Sequence, residues 1–283
     1  MWYNWRMKDG IVVVSVVRDL SAYGRLVAEN RFLKSGKAEM VMFDNRGDNL
    51  PVPVRYNAFL DSRSLDEEAW YVFCHEDFEF LEPIDGVLAS LDKGAVYGVV
   101  GADAKMRIVG NFINCRRDGS CRTFNECRVI RPVRVSTVDC CCLIAHSSVI
   151  RRHCLRFDPK LEWDFYSEDF SAAAAERFGI PTFVVPLLCR HWSYGNAGRR
   201  FMDTLALLRG KWRNARSIYA TTTMQVFGNA RRAFLKRMAR RMSAFFWHER
   251  FVSRNELKVS CMRIPVCRRR VRLPKLRRFS DNV

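Results

Sequence analysis

The sequence lacks an apolar run long enough to cross a lipid bilayer. A membrane-spanning helix needs roughly 20 consecutive apolar residues, whereas IVVVSVV at residues 11–17 has only the length of a strand. The opening MWYNWRMKDG mixes aromatic and charged side chains and has no apolar segment of a secretory signal. We therefore expect a cytoplasmic protein without a transmembrane helix.

The sequence also has no internal repeat, no low-complexity segment and no closely paired cysteines. Cys115, Cys121 and Cys127 lie six residues apart, unlike the short pairs of structural zinc sites, so a hairpin is the favoured alternative. Three further cysteines are consecutive at 140–142, and an odd total of 11 would leave one unpaired. These features favour reduced cysteines in a reducing cytosol over a disulfide framework.

Acidic residues are scarce at the C-terminal end of the chain. Residues 201–283 hold 21 of the 48 basic residues but four of the 30 acidic ones, so they carry +17 of the net charge of +18. The sequence therefore predicts a nearly neutral domain at 1–200 and a basic extension at 201–283. Such asymmetry indicates a polyanion or an anionic membrane as partner.

Part of this extension has the pattern of an amphipathic helix. Residues 224–251 place apolar side chains at steps of three and four, interleaved with basic ones, which is typical of an interfacial membrane helix. The apolar stripe could instead pack on the body, and the RRR and KLRR motifs suit nucleic acid. Membrane contact is favoured, and nucleic acid is the least favoured of the three.

In the first 200 residues, short apolar runs alternate with helical patterns. Because the apolar runs do not alternate with polar residues, they predict strands buried on both faces of a mainly parallel α/β sheet. We expect strands at 11–17, 39–43, 70–74, 96–103, 138–145 and 182–188, helices at 19–32, 56–60, 83–92, 147–154 and 169–178, and a β-rich excursion at 105–135.

Polar residues follow several of these strands directly. His75-Glu76-Asp77 come after the strand at 70–74, and Asp44-Asn45 end the strand at 39–43. Open α/β sheets bind ligands at the carboxyl ends of their strands, and a divalent cation would offset the repulsion among the acids. The alternative is a solvated turn.

The order of the motifs resembles that of a known enzyme family. MVMFDNRGDNLPVPVRYN, YVFCHEDFEFL, VSTVDCCCLIAHSSVI, FDPKLEWDFYSEDF and CRHWSYGN follow one another between residues 9 and 198. This series resembles the nucleotide-sugar glycosyltransferases of GT-A fold, most closely the bacterial family-two-like group with His-x-Asp in place of Asp-x-Asp. The resemblance implies a Rossmann-like GT-A fold, with a mainly parallel mixed sheet flanked by helices, preceding the basic helical extension.

The resemblance also implies roles for individual residues. His75 stands where relatives have an acid, the serine that often follows Asp44-Asn45 is absent, and the segment 105–135 matches no part of the family. The implied roles are metal binding by Asp77 and His191; general base catalysis by Asp169, with Glu168 as the alternative; nucleotide-sugar binding by Asp44, Asn45, Asn57, His75 and Glu76; and acceptor or sugar contact by Asp139 and Trp192.

The chemistry of nucleotide-sugar donors explains this set of residues. A divalent cation, Mn²⁺ or Mg²⁺, neutralises the departing diphosphate, and a carboxylate takes the proton of the acceptor hydroxyl. The resemblance therefore implies a metal-dependent glycosyltransferase that acts on a surface glycan or a lipid-linked acceptor at the inner face of the membrane, and a single base would give inversion at the anomeric carbon. The alternatives are a nucleic-acid-binding protein with a basic arm and a nucleotidyltransferase, for which RDLSAYGR is a poor phosphate-binding loop.

Overall fold

A computed structural model describes residues 9–35, 38–64, 66–116, 118–123, 128–192 and 198–229. The strands within these ranges are β1 (Gly10–Val17), β2 (Glu39–Asp44), β3 (Ala69–Cys74), β4 (Phe78–Phe80), β5 (Val96–Gly98), β6 (Val100–Ala102), β7 (Ile108–Cys115), β8 (Cys121–Thr123), β9 (Val133–Val135), β10 (Thr137–Val138), β11 (Cys142–His146), β12 (Thr182–Val184), β13 (Leu188–His191), β14 (Ile218–Ala220) and β15 (Val226–Gly228).

The helices are mostly short, and α6 is among the longest. Its SAAAAE stretch favours helix, and Gly179, with φ of 70°, ends it in the left-handed conformation that suits glycine. The helices are α1 (Leu20–Tyr23), followed by a π-helical turn (Gly24–Ala28), α2 (Arg31–Ser35), α3 (Val52–Ser62), α4 (Asp85–Leu88), α5 (Ser147–Arg152), α6 (Tyr166–Phe178) and α7 (Arg199–Lys211).

A seven-stranded sheet in the order β2-β1-β3-β11-β5-β12-β9 forms the centre of the fold. The pairings make β2, β1, β3, β5 and β12 run in one direction, whereas β11 and β9 run in the other. The predicted α/β fold with a mainly parallel mixed sheet flanked by helices is therefore confirmed.

Both faces of this sheet are buried. Along β1, Val12 and Val14 belong to one apolar core, whereas Ile11 and Val13 belong to a second core on the opposite face. This two-sided burial is the physical reason why the strand is an unbroken apolar run.

A second sheet has the order β10-β6-β7-β13-β4, with β8 paired to β7. The prediction of a single strand at 96–103 is wrong. The strand is interrupted at Val99, so that β5 joins the first sheet and β6 joins the second. Neighbouring atoms approach the backbone closely at two glycines of these strands. A Cβ on Gly98 would lie 2.5 Å from the Cβ of Val138, and one on Gly101 would lie 2.4 Å from the carbonyl oxygen of Thr137.

Other local predictions are also wrong: the strands expected at 138–145 and 182–188 are each divided between the two sheets. The helix expected at 19–32 is interrupted before α2, where the amide of Asn30 donates to the carbonyl of Phe80 at 2.9 Å and its Oδ1 accepts from the amide of Phe32. The cysteines are not all reduced, since Cys115 and Cys121 form a disulfide across the β7–β8 hairpin. Cys127 lies outside the described residues.

Residues 199–229 pack on the preceding part of the fold. Leu205, Leu208, Trp212, Tyr219 and Phe227 are buried in the same core as β1 and β3. The prediction of an amphipathic helix at 224–251 is wrong at the start of this range, where β15 forms. From residue 230 onward the predicted helix lies outside the described residues. Among the described helices, none is long and apolar enough to cross a membrane.

Candidate active site

Three side chains meet beyond the carboxyl ends of β3 and β13. His191 Nε2 lies 3.1 Å from Asp77 Oδ1 and 3.3 Å from His75 Nδ1, and the last two atoms are 3.9 Å apart. His75 and Asp77 follow β3, whereas His191 is the final residue of β13. Asp77 and His191, to which the resemblance assigns metal binding, therefore lie together although they are more than 100 positions apart in the chain.

Short strands hold this group in place. β4 pairs with β13 in a register that sets Phe78 opposite His191, and the amide of Trp192 donates to the carbonyl of Asp77 at 3.0 Å. The ring of His191 also contacts Phe112, with centroids 5.9 Å apart. The orientation of the late histidine is therefore fixed by strand pairing and by aromatic packing.

The group fits a divalent cation. Each residue offers one ligand atom, and the three atoms lie within 4.8 Å of one another. Burial lowers the pKa of His75, and the neighbouring His191 adds to this effect. Burial also lowers the pKa of His191, but the Asp77 carboxylate outweighs it and leaves that pKa above its usual value. Two imidazoles and a carboxylate suit first-row transition ions better than Mg²⁺.

A second group at the opposite end of the sheet does not fit a cation equally well. Asp9, Glu68 and His146 also bring their ligand atoms together. However, the ammonium of Lys93 already lies 2.9 Å from the Asp9 carboxylate and 3.5 Å from that of Glu68. This group is an ion-pair cluster beside the start of β1.

Asp139 lies in the turn between β10 and β11. Its Oδ1 accepts a hydrogen bond from the amide of Cys141 at 2.9 Å, and its Oδ2 accepts one from the hydroxyl of Thr222. The negative charge of Asp139 favours the protonated form of both His75 and His191 and so acts to raise the pKa of each. Burial acts in the opposite direction and is the larger effect on each. Asp139 therefore belongs to the same electrostatic site, and its contact with the acceptor or sugar stays a prediction.

Glu168 lies in the first turn of α6 and faces the same turn. Phe165, in the left-handed conformation with φ of 64°, directs the chain into this helix. The Sγ of Cys140 donates to a carboxylate oxygen of Glu168 at 3.2 Å. Glu168 is 3% exposed, and burial, followed by the charge of Asp139, raises its pKa to about 8.

Asp169 has different surroundings although it is the next residue. Its two carboxylate oxygens accept hydrogen bonds from the Lys211 ammonium and the Trp212 indole, each at 2.8 Å. Burial raises the pKa of Asp169, whereas Lys211 and Trp212 lower it. This carboxylate ties α6 to the end of α7, and both of its oxygens are engaged in that contact.

Replacing Lys211 with Met should therefore destabilise the fold. The change leaves a buried Asp169 carboxylate with the indole as its remaining donor, and a lost hydrogen bond to a charged group costs about 2 kcal/mol. Urea unfolding followed by circular dichroism would measure the loss. Lys105→Met, at an exposed lysine, is the matched control and should stay within about 0.5 kcal/mol of wild type. Equal stabilities for the two variants would contradict the role of Lys211.

A chain of polar contacts links Glu168 with the histidines. Cys140 contacts Glu168 through its thiol, and its carbonyl accepts from the Tyr166 hydroxyl at 3.2 Å. That hydroxyl lies 2.8 Å from His75 Nε2. Sequence reasoning missed Cys140, Tyr166 and Lys211, and only the position of Tyr166 beside the Glu168-Asp169 pair was a signal for any of them.

The residues predicted to bind the nucleotide are only partly available. Asp44 ends β2 at the same sheet edge, and its side chain is 44% exposed and pairs with Arg46 at 2.7 Å, which lowers the pKa of Asp44 to about 2. The side-chain amide of Asn45 is hydrogen-bonded to the backbone of Leu50, and the side-chain amide of Asn57 is hydrogen-bonded to the backbone of Phe157. Both asparagines therefore maintain loops, and their roles in binding stay predictions.

Glu76 and Trp192 flank the histidine group. The carboxylate of Glu76 accepts from the backbone amides of Arg18 and Asp19, so it anchors the turn after β1. The indole Nε1 of Trp192 is buried and has no hydrogen-bond partner among the described residues. The roles of Glu76 at the nucleotide and of Trp192 at the acceptor also stay predictions.

Structural comparisons find distant likenesses. No protein-family model and no curated protein sequence matches the chain. Its structure is similar to the crystal structure of GalNAc-T7 with UDP, GalNAc and Mn²⁺, with a TM-score of 0.46 and 11% identity over 72% of this chain and 49% of that one. A crystal structure of TarS from S. aureus has a TM-score of 0.44 and 11% identity over 73% of this chain and 66% of that one. The crystal structure of A197 from STIV has a TM-score of 0.39 and 14% identity over 77% of this chain and 93% of that one.

The chain thus spans about half of the GalNAc-T7 chain and 66% of the TarS chain. At these TM-scores and identities the likenesses carry no functional assignment. The mainly parallel mixed sheet, with His75-Glu76-Asp77 directly after β3, agrees with the fold that the sequence resemblance implies.

Proposed function

We propose that this protein is a metal-dependent glycosyltransferase that moves a sugar from a nucleoside-diphosphate sugar to a hydroxyl acceptor. The observation that supports it is the grouping of a cation-binding set, His75, Asp77 and His191, with a buried carboxylate, Glu168, through Tyr166 and Cys140. A bound Mn²⁺ or Mg²⁺ would neutralise the charge of the departing diphosphate.

The base of this reaction is Glu168 rather than Asp169. A general base needs a carboxylate within reach of the acceptor proton and a pKa near the working pH. Glu168 meets the second condition and lies beside Asp139, whereas the two oxygens of Asp169 are engaged by Lys211 and Trp212. A single base of this kind gives inversion at the anomeric carbon.

The donor lies across the edge formed by the ends of β1, β2 and β3. Asp44 would contact the base of the nucleotide, and the His75–Asp77 segment would contact the diphosphate. The acceptor, a glycan or a lipid-linked sugar, approaches from the side of Asp139 and Trp192. Action at the cytoplasmic face of a membrane, through the basic extension, is part of the proposal and stays a prediction.

Donor binding tests this function directly. Because a ligand that binds only the folded state stabilises it by about 2.7 kcal/mol at 100 times its Kd, UDP or GDP with Mn²⁺ should raise the Tm. Asp77→Asn should lose this response, whereas Asp203→Asn, at an exposed acid on α7, should keep it. Failure of every nucleoside diphosphate with every divalent cation to raise the Tm would contradict the proposal.

A further inference from the structure

Tyr166 is the first residue of α6, and its hydroxyl contacts two groups of the candidate site. The side chain is fully buried. The hydroxyl oxygen lies 2.8 Å from His75 Nε2 and 3.2 Å from the carbonyl oxygen of Cys140. Neither contact is with solvent, so the hydrogen positions must satisfy these partners together.

A count of protons fixes the direction of both hydrogen bonds. A tyrosine hydroxyl has one proton to donate, and a carbonyl oxygen can only accept. Both contacts are hydrogen bonds at the same time only if Tyr166 donates to the carbonyl of Cys140 and His75 Nε2 carries a proton that it donates to Tyr166. A neutral imidazole has one N–H, so His75 Nδ1 keeps its lone pair.

This lone pair faces the proposed cation position. Nδ1 lies 3.3 Å from His191 Nε2 and 3.9 Å from Asp77 Oδ1. Metal-binding histidines are generally oriented by a hydrogen bond from their other ring nitrogen, and losing that bond typically lowers metal affinity 10- to 100-fold. We propose that Tyr166 is a positioning residue that holds His75 in the Nε2–H tautomer and directs Nδ1 to the cation.

The inference extends the roles assigned above in two ways, and its part concerning a cation rests on the proposed function. It specifies the tautomer of His75 and names Nδ1 as the ligand atom that this residue offers beside Asp77 and His191. It also makes α6 carry both the residue that orients a ligand and, two positions later, the base Glu168, so that displacement of the helix would disturb both.

Two measurements test the role of Tyr166. The tautomer of His75 is read from long-range ¹H–¹⁵N spectra of the metal-free protein, which should show protonated Nε2 in wild type and a mixture of tautomers in Tyr166→Phe. The affinity for Mn²⁺ alone, measured by electron paramagnetic resonance, should fall about 10- to 100-fold in Tyr166→Phe. Tyr97→Phe is the matched control, because its buried hydroxyl also donates to a carbonyl, that of Asp92, at 2.9 Å.

The outcomes separate this inference from the proposed function. Protonated Nδ1 in wild-type His75, or equal Mn²⁺ affinity in wild type and Tyr166→Phe, would overturn the inference. The wild-type spectrum decides the tautomer even if the variant does not fold. If the wild type binds no Mn²⁺ while His75 shows protonated Nε2, the metal-dependent function fails and the tautomer assignment stands.

Discussion

Deleting residues 201–283 should abolish cooperative thermal unfolding, whereas deleting residues 230–283 should preserve it. The first deletion removes nearly all of α7 and the β14–β15 hairpin, including five large side chains that are buried in the core with β1 and β3. At roughly 2 kcal/mol for each, their burial contributes about 10 kcal/mol, which is comparable to the whole stability of a typical domain.

Polar groups would be exposed by the same deletion. Asp169 would lose both of its donors, Lys211 and Trp212, and Asp139 would lose the hydroxyl of Thr222. Removing the partners of a buried charge adds to the apolar loss. The deletion should therefore damage the candidate site even in molecules that stay compact.

Calorimetry of the two truncated proteins, beside the full chain, measures this difference. The full chain and the protein ending at residue 229 should each give a sharp transition, and the protein ending at residue 200 should give none. Equally sharp transitions in the two truncated proteins would support the domain boundary at residue 200 that the charge distribution predicts. We propose instead that the catalytic domain extends at least to residue 229.

Strand positions were predictable because burial leaves a direct mark on the sequence. β1, β2 and β3 lie within a residue or so of the predicted apolar runs. β1 and β3 are apolar because both faces of the sheet are covered there, whereas the edge strand β2 is only partly buried. The break at Val99 was not predictable, since the residues on both sides are equally apolar and only tertiary pairing sends β6 into the second sheet.

The site was predictable where it depends on strand ends. His75, Asp77 and His191 converge because the last residue of β13 lies beside the turn that follows β3. The choice between Glu168 and Asp169 depends on the partner of each helix face, and the partner of Asp169 is α7, which the charge pattern assigned to a separate extension. Distant pairing of this kind leaves no periodic signal.

Glu168→Gln should reduce sugar transfer by about 10²- to 10⁴-fold, the usual contribution of a general base, while nucleoside-diphosphate binding changes little. Asp169→Asn is the matched control, since it makes the same change one residue away and should keep more activity. Steady-state rates with excess donor, and Tm shifts with UDP or GDP, separate catalysis from binding. A larger loss in Asp169→Asn would return the role of base to Asp169.

The pH dependence gives a second test of Glu168. A base must be ionised, so the wild-type rate should rise with pH up to about 8, the pKa to which burial and Asp139 raise this carboxyl. At pH 6, two units lower, only about 1% of Glu168 is ionised. This rise should be absent from the residual activity of Glu168→Gln.

The contribution of Glu168 to the free energy of unfolding should fall as the pH rises, whereas the rate should increase. The raised pKa means that the folded state keeps a proton that the unfolded chain releases above its ordinary pKa of 4.5. Below pH 4.5 the carboxyl therefore does not reduce the free energy of unfolding. Above that pH it reduces the free energy of unfolding by about 1.36 kcal/mol per pH unit, which amounts to about 5 kcal/mol at pH 8.

Glu168→Gln removes that cost, because glutamine has no proton to lose. The variant should match wild type in urea unfolding at pH 4.5 and exceed it by up to about 5 kcal/mol at pH 8. Parallel stability curves for the two proteins would mean that Glu168 is ionised in the folded state without strain, and the argument for it as a base held ready near neutral pH would then fail.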